Sequence, residues 1–292
     1  TALAGWGLSR LRDAPFVLEV RDLWPESIVA SGAMDRNAVV RALERVETFL
    51  YRQADHVVVV TERFRKHVVE RGASPEQVSV IENGIDRDFY SPPPEQEVRA
   101  VREEFGLGDS FVVSYVGTVG MAHRADVLLE AAERCDDPEI TFMVVGTGAK
   151  WAELERRAER YPGDDFRLVD KQPKERVPAL LAASDASVVH LRDEELFETV
   201  IPSKLFEAMA LGNPVIHGVR GESREIVEKA GAGIPVPPES PEAIVEAAKE
   251  LKEDEEMYRT MSESGRAYVE EHHDRRRLAE EYWQIFEEVA GR

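Results

Sequence analysis

A lysine at the start of a predicted helix is the residue whose position most strongly indicates anion chemistry. A helix is expected here because Pro202 and Ser203 favour a helix start and Gly212 favours a helix end. Lys204 then lies in the first turn, where the helix dipole favours an anion by about 0.3–1 kcal/mol. A diphosphate would resolve this conflict, since Lys204 and the free N–H groups of the helix start would bind it together. The alternative is a structural ion pair between Lys204 and Glu207 on the same helix face.

Two glycine-containing turns follow predicted strands and provide further candidates for phosphate binding. They carry Gly117, Thr118, Gly120 and Arg124 in the first turn and Gly146 and Gly148 in the second. Glycine lets the backbone approach a phosphate, although glycines after a strand can also simply turn the chain. Trp151 takes the place of the last glycine of a G-x-G-x-x-G pattern, and the sequence has no G-K-S/T motif. Dinucleotide oxidoreductases and P-loop NTPases therefore lack their usual sequence support.

A third candidate site lies at the end of an early apolar segment. Arg21 and Asp22 directly follow the predicted strand that begins at Pro15. In open α/β sheets the ligand crevice lies outside the carboxyl ends of the strands, so both side chains are expected to line a cleft. The alternative is a buried structural pair between Arg21 and Asp22.

These candidates are positioned by an alternation of short apolar segments and longer segments of helical period. The predicted strands cover residues 15–21, 56–61, 78–83, 111–116, 140–146, 166–170, 186–191, 214–219 and 233–236. The predicted helices cover residues 37–55, 62–72, 125–135, 150–160, 175–183, 203–211 and 222–230. Continuous apolar strands alternating with helices are typical of a doubly wound α/β fold with parallel sheets.

A run of three prolines, Pro92 to Pro94, predicts a boundary between two domains. Residues 1–92 contain three predicted strands and residues 93–273 contain six, so the first Rossmann-like domain is expected to be incomplete. The tail from Glu255 is predicted to be helical. Its last segment, residues 274–292, has apolar positions at helical spacing and is expected to return to the first domain.

Composition narrows the range of functions. The chain of 292 residues has 37 Lys and Arg against 57 Asp and Glu, a net charge of −20 that disfavours nucleic acid and general docking on an anionic membrane. Dispersed acids keep a surface hydrated, as in adaptation to a saline cytosol. The single Cys135 excludes an internal disulfide, and the histidine spacing predicts no metal site. The amphipathic segment 36–52 predicts a packed helix that could also touch lipid head groups.

The segment around Lys204 resembles the donor-binding segment of family-4 glycosyltransferases. That family has a Glu-x7-Glu motif and a Met-Ala-x-Gly-x-Pro run; here Thr199 takes the place of the first acid, Glu207 is the second, and the run covers residues 209–214. The segment from Ile81 to Asp86 is similar to an interlobe Pro-Asn-Gly-Val-Asp signature. The resemblance covers residues 15–238, and the Thr-x-x-Pro-Ser-Lys form looks like the subgroup that builds surface polysaccharides with amino- or deoxy-sugars.

The resemblance implies a GT-B fold with a donor-binding second domain and an acceptor-side first domain. It implies that Glu207 binds the donor ribose, that Lys204 binds the departing diphosphate, and that Thr199 lies beside the donor sugar. Arg21 replaces a family histidine that faces the reacting sugar, next to Asp22. The remaining implied substrate-binding residues are Ser203, Gly117, Thr118, Gly120, Arg124, Gly146, Gly148, Lys171, Gln172 and Asn83.

The implied activity is transfer of a hexosyl or aminosugar group from a nucleotide diphosphate sugar to a hydroxyl, with retention of configuration and without a metal or cofactor. The implied acceptor is a polyprenyl-linked glycan at the cytoplasmic membrane face, which predicts a cytoplasmic or peripheral protein. About the first hundred family residues are expected to be absent, so the chain is expected to fold and to lack activity. Two alternatives are a nucleotide-sugar 2-epimerase and a non-catalytic nucleotide-sugar-binding fragment.

Overall fold

The computed structural model describes residues 1–291 and contains two separate parallel sheets. The helices are α1 Ala2–Arg12, α2 Glu26–Ala30, α3 Ala38–Gln53, α4 Glu62–Glu70, α5 Glu95–Glu104, α6 Val127–Ala132, α7 Trp151–Ala158, α8 Val177–Ala182, α9 Lys204–Ala210, α10 Glu222–Ala230, α11 Pro241–Glu253, α12 Glu255–His272 and α13 Arg275–Ala290. The strands are β1 Val17–Val20, β2 His56–Val59, β3 Val78–Val80, β4 Phe111–Thr118, β5 Ile140–Thr147, β6 Phe166–Asp170, β7 Ala186–His190, β8 Val215–Gly218 and β9 Gly233–Pro235. The predicted parallel α/β class and each of the nine predicted strands are thus confirmed.

The chain divides into two compact units. Unit 1 consists of Thr1–Gly84, Thr199–Ile201 and the C-terminal residues from His273, and unit 2 consists of Ile85–Glu198 and Pro202–His272. The contacts therefore change from one unit to the other at Gly84, eight residues before the boundary predicted from the proline run.

Unit 1 is built on a three-stranded sheet with the order β1-β2-β3. Its central strand β2 is entirely buried, as its sequence His-Val-Val-Val requires. On this sheet α13 buries Leu278, Ile285 and Val289, which form one cluster with Val58 and Ile81. The apolar spacing of the last helix thus corresponds to a face that covers the sheet of unit 1.

Unit 2 has a six-stranded sheet with the order β6-β5-β4-β7-β8-β9. This is the doubly wound order 3-2-1-4-5-6, in which the direction of winding changes between the first and fourth strands, here β4 and β7. One face of the sheet packs on α6 and α11 through residues such as Leu128 and Ile244, and the other packs on α5 and α8 through residues such as Val101 and Leu180. The carboxyl ends of β4 and β7 are therefore the expected place of a ligand.

The structure extends two strands beyond their predicted ends. β4 continues to Thr118 and β5 to Thr147, so that Gly117 is paired in the sheet instead of lying in a turn; its partner is Gly146, the last residue of the predicted strand 140–146. Glycine permits this extension because no side chains separate the two backbones. The structure also adds four helices that were not predicted, namely α1, α2, α5 and α11.

Candidate functional site

Lys204 occupies an unusual position at the carboxyl end of β4. Its Nζ lies 3.6 Å from the centroid of the Tyr115 ring. A Cβ placed on Gly117 would be only 2.9 Å from the same Nζ, so the ammonium group rests directly against the glycine backbone. Although part of the lysine is accessible, its Nζ is buried and has no hydrogen-bond partner among residues 1–291. A buried cation without such a partner is costly, and this identifies a position where an anion would be stabilised.

Burial decides the ionisation of Lys204. Desolvation lowers the pKa of the Lys204 ammonium to about 7, and the nearby charge of Glu207 partly opposes this shift. The hydrogen-bonded Lys204–Glu207 pair considered as an alternative is not formed. Lys204 is instead held over the Tyr115 ring, whose negative face attracts a cation.

The helix start itself contributes less than predicted. Ser203 occupies the N-cap position of α9 but already has helical dihedrals and makes no capping hydrogen bond with its side chain. The Leu205 and Phe206 N–H groups, which were predicted to be free, donate to the carbonyls of Pro202 and Ser203 at 3.0 and 3.1 Å. The helix is therefore a support that positions Lys204, and the anion chemistry rests on the lysine.

A pocket of about 280 Å³ opens at the carboxyl ends of β4, β5 and β6. We call it the β4–β6 pocket. Of the residues predicted to bind substrate, it is lined by Gly117, Thr118, Gly146, Lys171 and Gln172. Valine and leucine side chains from β4, β5 and α8 complete its wall. An apolar wall with a few polar groups at its rim is suited to a flat heterocycle such as a nucleobase.

The side chain of Gln172 is held in place at the rim of this pocket. Its Nε2 donates to the Asp170 carbonyl at 3.1 Å, and its Oε1 accepts a hydrogen bond of 2.7 Å from Arg176. Arg176 is in turn bound by the carboxylate of Glu104. This chain of contacts fixes the amide before any ligand binds.

Close packing at the ends of β4 and β5 explains why glycine occupies positions 117, 146 and 148. A Cβ on Gly146 would lie 1.8 Å from the Gly117 carbonyl oxygen, and one on Gly148 would lie 2.4 Å from the Val119 carbonyl oxygen. Gly117 itself has φ 149°, a conformation that side chains rarely tolerate. These glycines thus have a structural cause, and Gly117 in addition makes room for Lys204.

Arg124 and Gly120 lie elsewhere. They line a different cavity of about 290 Å³, between the end of β4 and α7. The guanidinium of Arg124 binds Asp126, Glu130 and Glu239 at 3.1, 3.3 and 3.3 Å. Its charge is already balanced by three carboxylates, whereas Lys204 has no such partner.

Two histidines near Lys204 had no predicted role. The Glu239 N–H donates to His190 Nε2 at 2.7 Å, so the ring proton is on Nδ1, which faces the His123 carbonyl at 3.2 Å. Burial lowers the pKa of His190 to about 4. Burial, followed by the charge of Lys204, lowers the pKa of His123 to about 4. Both rings are therefore neutral at pH 7 and add no positive charge beside Lys204, a result that their scattered sequence positions do not indicate.

In unit 1, Arg21 and Asp22 follow the carboxyl end of β1 as predicted from the sequence. Arg21 donates to Glu19 Oε1 at 3.0 Å and to Asn83 Oδ1 at 2.6 Å, and its side chain is 61% exposed. Asp22 accepts a hydrogen bond from the Ser27 hydroxyl at 3.1 Å. The alternative of a buried Arg21–Asp22 pair is therefore not what the structure contains.

Asn83 has a structural role that its sequence context did not reveal. Its carbonyl lies 3.1 Å from Nδ1 of His273, a fully buried residue at the junction of α12 and α13. Thr199 belongs to unit 1, while Ser203 and Glu207 belong to unit 2.

Within residues 1–291 no group of three or more His, Cys, Asp or Glu is arranged to bind a metal. In the same residues no helix is both long enough and apolar enough to cross a bilayer.

Comparisons with known families agree with this geometry. Residues 98–268 match the family model described as "Glycosyl transferases group 1", and residues 1–84 match a "Glycosyl transferase 4-like domain". Because the first match alone covers more than half of the chain, the chain belongs to the group 1 glycosyl transferases. The family-4 resemblance inferred from the sequence is thereby confirmed.

Two relatives and one solved structure illustrate the similarity. The chain is 25% identical over 241 residues to the probable glycosyltransferase WbjE of Pseudomonas aeruginosa, and 25% identical over 245 residues to the putative colanic acid biosynthesis glycosyl transferase WcaI of Escherichia coli. Each match covers 82% of this chain and 60% of the relative, so the chain spans about three fifths of the length of these relatives. A crystal structure of HepE from Anabaena in complex with UDP has a TM-score of 0.83 at 19% identity, over 98% of this chain and 76% of HepE. The fold is thus of the GT-B type, with a small first unit.

Proposed function

We propose that unit 2 binds a nucleoside diphosphate sugar and that the whole protein transfers its sugar to a hydroxyl acceptor. The observation that carries the proposal is the buried Lys204 ammonium, which has no hydrogen-bond partner in residues 1–291 and rests against Gly117, itself part of the β4–β6 pocket. In this proposal the base enters the pocket and Lys204 binds the diphosphate. Glu207, three residues after Lys204, accepts hydrogen bonds from the ribose hydroxyls.

Lys204 would contribute to the chemical step by binding the departing diphosphate. Negative charge accumulates on the diphosphate as the glycosidic bond breaks, and a cation already positioned in a site that excludes water stabilises this charge without reorganisation. An adjacent anion favours the charged form of the amine, so donor binding is expected to raise the pKa of Lys204 above about 7.

The finer assignments of the reaction belong to the same proposal. The predicted domain 93–273, which lies largely in unit 2, binds the donor. Residues 1–92 form the acceptor side together with the helix predicted over 274–292, of which the structure describes α13, and residue 292 lies outside the described residues. Arg21 and Asp22 face the reacting sugar there, and Thr199 contacts the donor sugar in place of an acid. The transferred group is a hexose or aminosugar, configuration is retained, and the acceptor is a lipid-linked glycan at the cytoplasmic membrane face. Support comes from the family match and from relatives such as WcaI, whose name refers to colanic acid biosynthesis.

Calorimetric titration with UDP, GDP and ADP tests the donor site. UDP is the first ligand to examine, because HepE structures have been solved with UDP and with UDP-glucose. We expect micromolar binding of one diphosphate. Lys204→Met and Glu207→Gln should each weaken it at least tenfold, about 1.4 kcal/mol.

Lys229→Met is the matched control, because Lys229 also lies over a tyrosine ring of unit 2, that of Tyr268, but is exposed to solvent. Unchanged affinity in Lys204→Met, or no binding of any of the three diphosphates, would refute the donor site. Donor binding without sugar transfer to any hydroxyl acceptor would instead favour the non-catalytic alternative. An altered sugar formed without an acceptor would favour the epimerase.

A further inference from the structure

The amide of Gln172, at the rim of the β4–β6 pocket, has an orientation that its neighbours determine. Its Oε1 accepts a hydrogen bond of 2.7 Å from Arg176, and its Nε2 donates to the Asp170 carbonyl at 3.1 Å. A guanidinium can only donate and a carbonyl can only accept. The opposite orientation would place donor against donor and acceptor against acceptor, so the nitrogen and the oxygen of this amide cannot be exchanged.

Arg176 is itself held by two contacts. Its terminal nitrogens bind the two oxygens of Glu104 at 3.3 and 2.5 Å, and its guanidinium carbon lies 5.9 Å from the centroid of the Phe105 ring. A two-point pair between arginine and a carboxylate restricts the guanidinium to one plane. Gln172 can therefore turn only by giving up hydrogen bonds at both ends of its amide.

Gln172 offers a ligand a hydrogen-bond donor. Its Nε2 carries two hydrogens, and the Asp170 carbonyl uses one of them. Within residues 1–291 the second hydrogen has no protein acceptor. The Oε1 is already bound to a cation, which weakens it as an acceptor for a ligand and polarises the amide so that its N–H groups become better donors.

The other charged side chains of the pocket favour the same kind of ligand atom. Lys171 and Lys174 line it and carry donors only, and the Lys174 Nζ lies 5.0 Å from the centroid of the Phe89 ring. Within residues 1–291 no Asp or Glu lines this pocket. The hydroxyls of Thr118 and Thr147 can donate or accept and do not discriminate. The rim thus favours a carbonyl oxygen over an amino group.

We propose that Gln172, positioned by Arg176, selects a donor whose base is uracil or thymine. The carbonyl at carbon 4 of these bases accepts the free N–H of Gln172. Cytosine has the same ring with an amino group at this carbon, and adenine carries an amino group and no carbonyl. Each would bring a donor against the amide N–H and the lysines, and a buried donor left unpaired is costly. The inference rests on the proposed donor site and adds the choice of base.

Calorimetric titration of the 292-residue chain with UDP and CDP tests the choice, because the two bases have the same size. We expect UDP to bind at least about tenfold more tightly than CDP, a difference of about 1.4 kcal/mol. IDP should bind more tightly than GDP, since hypoxanthine lacks the amino group of guanine. Ribothymidine diphosphate, which keeps both ribose hydroxyls, distinguishes thymine from uracil.

Two variants separate the selecting residue from the positioning residue. Gln172→Glu keeps the size of the side chain and replaces the N–H by an acceptor, so the preference for UDP over CDP should disappear or reverse. Arg176→Met leaves every side chain that lines the pocket unchanged and should reduce the preference, because the amide is then free to turn. The matched control is Arg224→Met, which removes an exposed arginine paired with Glu228 in α10 of unit 2 and should leave the preference unchanged.

The outcomes distinguish the base assignment from the donor site. Equal affinity for UDP and CDP, or tighter binding of ADP than of UDP, would overturn the base assignment if Lys204→Met still weakened binding. The same holds for a preference that survives in Gln172→Glu or falls equally in Arg224→Met. Binding that does not depend on Lys204, or no binding of any diphosphate, would refute the donor site and the base assignment with it.

Discussion

At the scale of single residues, Lys204 is the side chain whose proposed function conflicts most directly with the stability of the ligand-free protein. Its Nζ has lost water without gaining a hydrogen-bond partner among the described residues, and only the Tyr115 ring and the charge of Glu207 favour its charged form. Binding sites commonly retain such a cost because the ligand removes it. The cost should therefore be measurable in the ligand-free protein.

Lys204→Met should make the ligand-free protein more stable at neutral pH. The folded-state pKa of about 7 lies below the ordinary value of 10.5, so between these values the unfolded chain binds more protons and the stability of the unaltered protein rises with pH. The advantage of the variant should thus exceed about 1.4 kcal/mol at pH 7 and shrink toward pH 10. Urea unfolding across this range measures it. Lys229→Met should show no such dependence, and a Lys204→Met variant less stable at every pH would contradict the expectation.

At the scale of elements, the junction between β3 and α13 depends on Gly84. A Cβ at this position would lie 2.6 Å from Leu278 Cδ1 and 3.0 Å from the Arg275 Cα. The neighbouring Asn83 carbonyl is bound by the buried ring of His273. The start of α13 is therefore held against the end of β3 by contacts that leave no space for a methyl group.

Gly84→Ala should destabilise the protein by about 1–3 kcal/mol, because the methyl group forces the start of α13 away from the sheet. Thermal unfolding followed by circular dichroism measures the loss. The matched control is Gly7→Ala in α1, where a Cβ would meet no atom within 4 Å. That change should be neutral or stabilising by about 0.5–1 kcal/mol, because alanine favours a helix interior over glycine. Equal stability of the two variants would mean that the packing of α13 tolerates the methyl group.

At the scale of the whole molecule, buried histidines link stability to pH. Burial lowers the pKa of His217 to about 3, in addition to the lowered pKa values of about 4 for His123 and His190. His217 Nε2 lies 2.7 Å from the Ser223 hydroxyl, and this contact keeps the ring fixed in the core.

The protein should lose stability as the pH falls below 6.5. Each of these histidines has a folded-state pKa below its ordinary value, so its contribution is complete above 6.5 and is lost as the pH falls toward 4. Each can contribute up to about 1.4 kcal/mol per pH unit. Urea unfolding at several pH values measures the slope, and His217→Leu should reduce it without reducing the binding of a diphosphate. A stability that is flat between pH 6.5 and 5 would contradict this account.

The net charge of −20 is also a property of the whole molecule, and it led to the prediction of a surface adapted to a saline cytosol. The comparisons give no support for adaptation to a saline cytosol, which stays a prediction.

The local sequence was sufficient to predict the parallel α/β architecture. Continuous apolar segments such as residues 56–61 and 186–191 can only be stable when covered on both faces, and this property predicts parallel strands wherever helical segments alternate with them. The glycines at the ends of β4 and β5 were predicted to let the backbone approach a phosphate, whereas the contact that the structure contains is between Gly146 and the Gly117 carbonyl. Helix α1 was missed because Gly5 and Gly7 weaken its helix propensity and it buries none of its side chains completely.

The sequence by itself thus determined the fold class and the strand positions, together with a set of residues at strand ends. Only the tertiary structure decided which of these residues line the same pocket. It brings Gly117 and Lys171 to one pocket, assigns Arg124 to another, and leaves Lys204 as the buried cation without a hydrogen-bond partner in residues 1–291. The reason is physical. Strand and helix patterns depend on neighbouring residues, whereas burial and charge balance depend on side chains far apart in the sequence, as with Arg124 and Glu239.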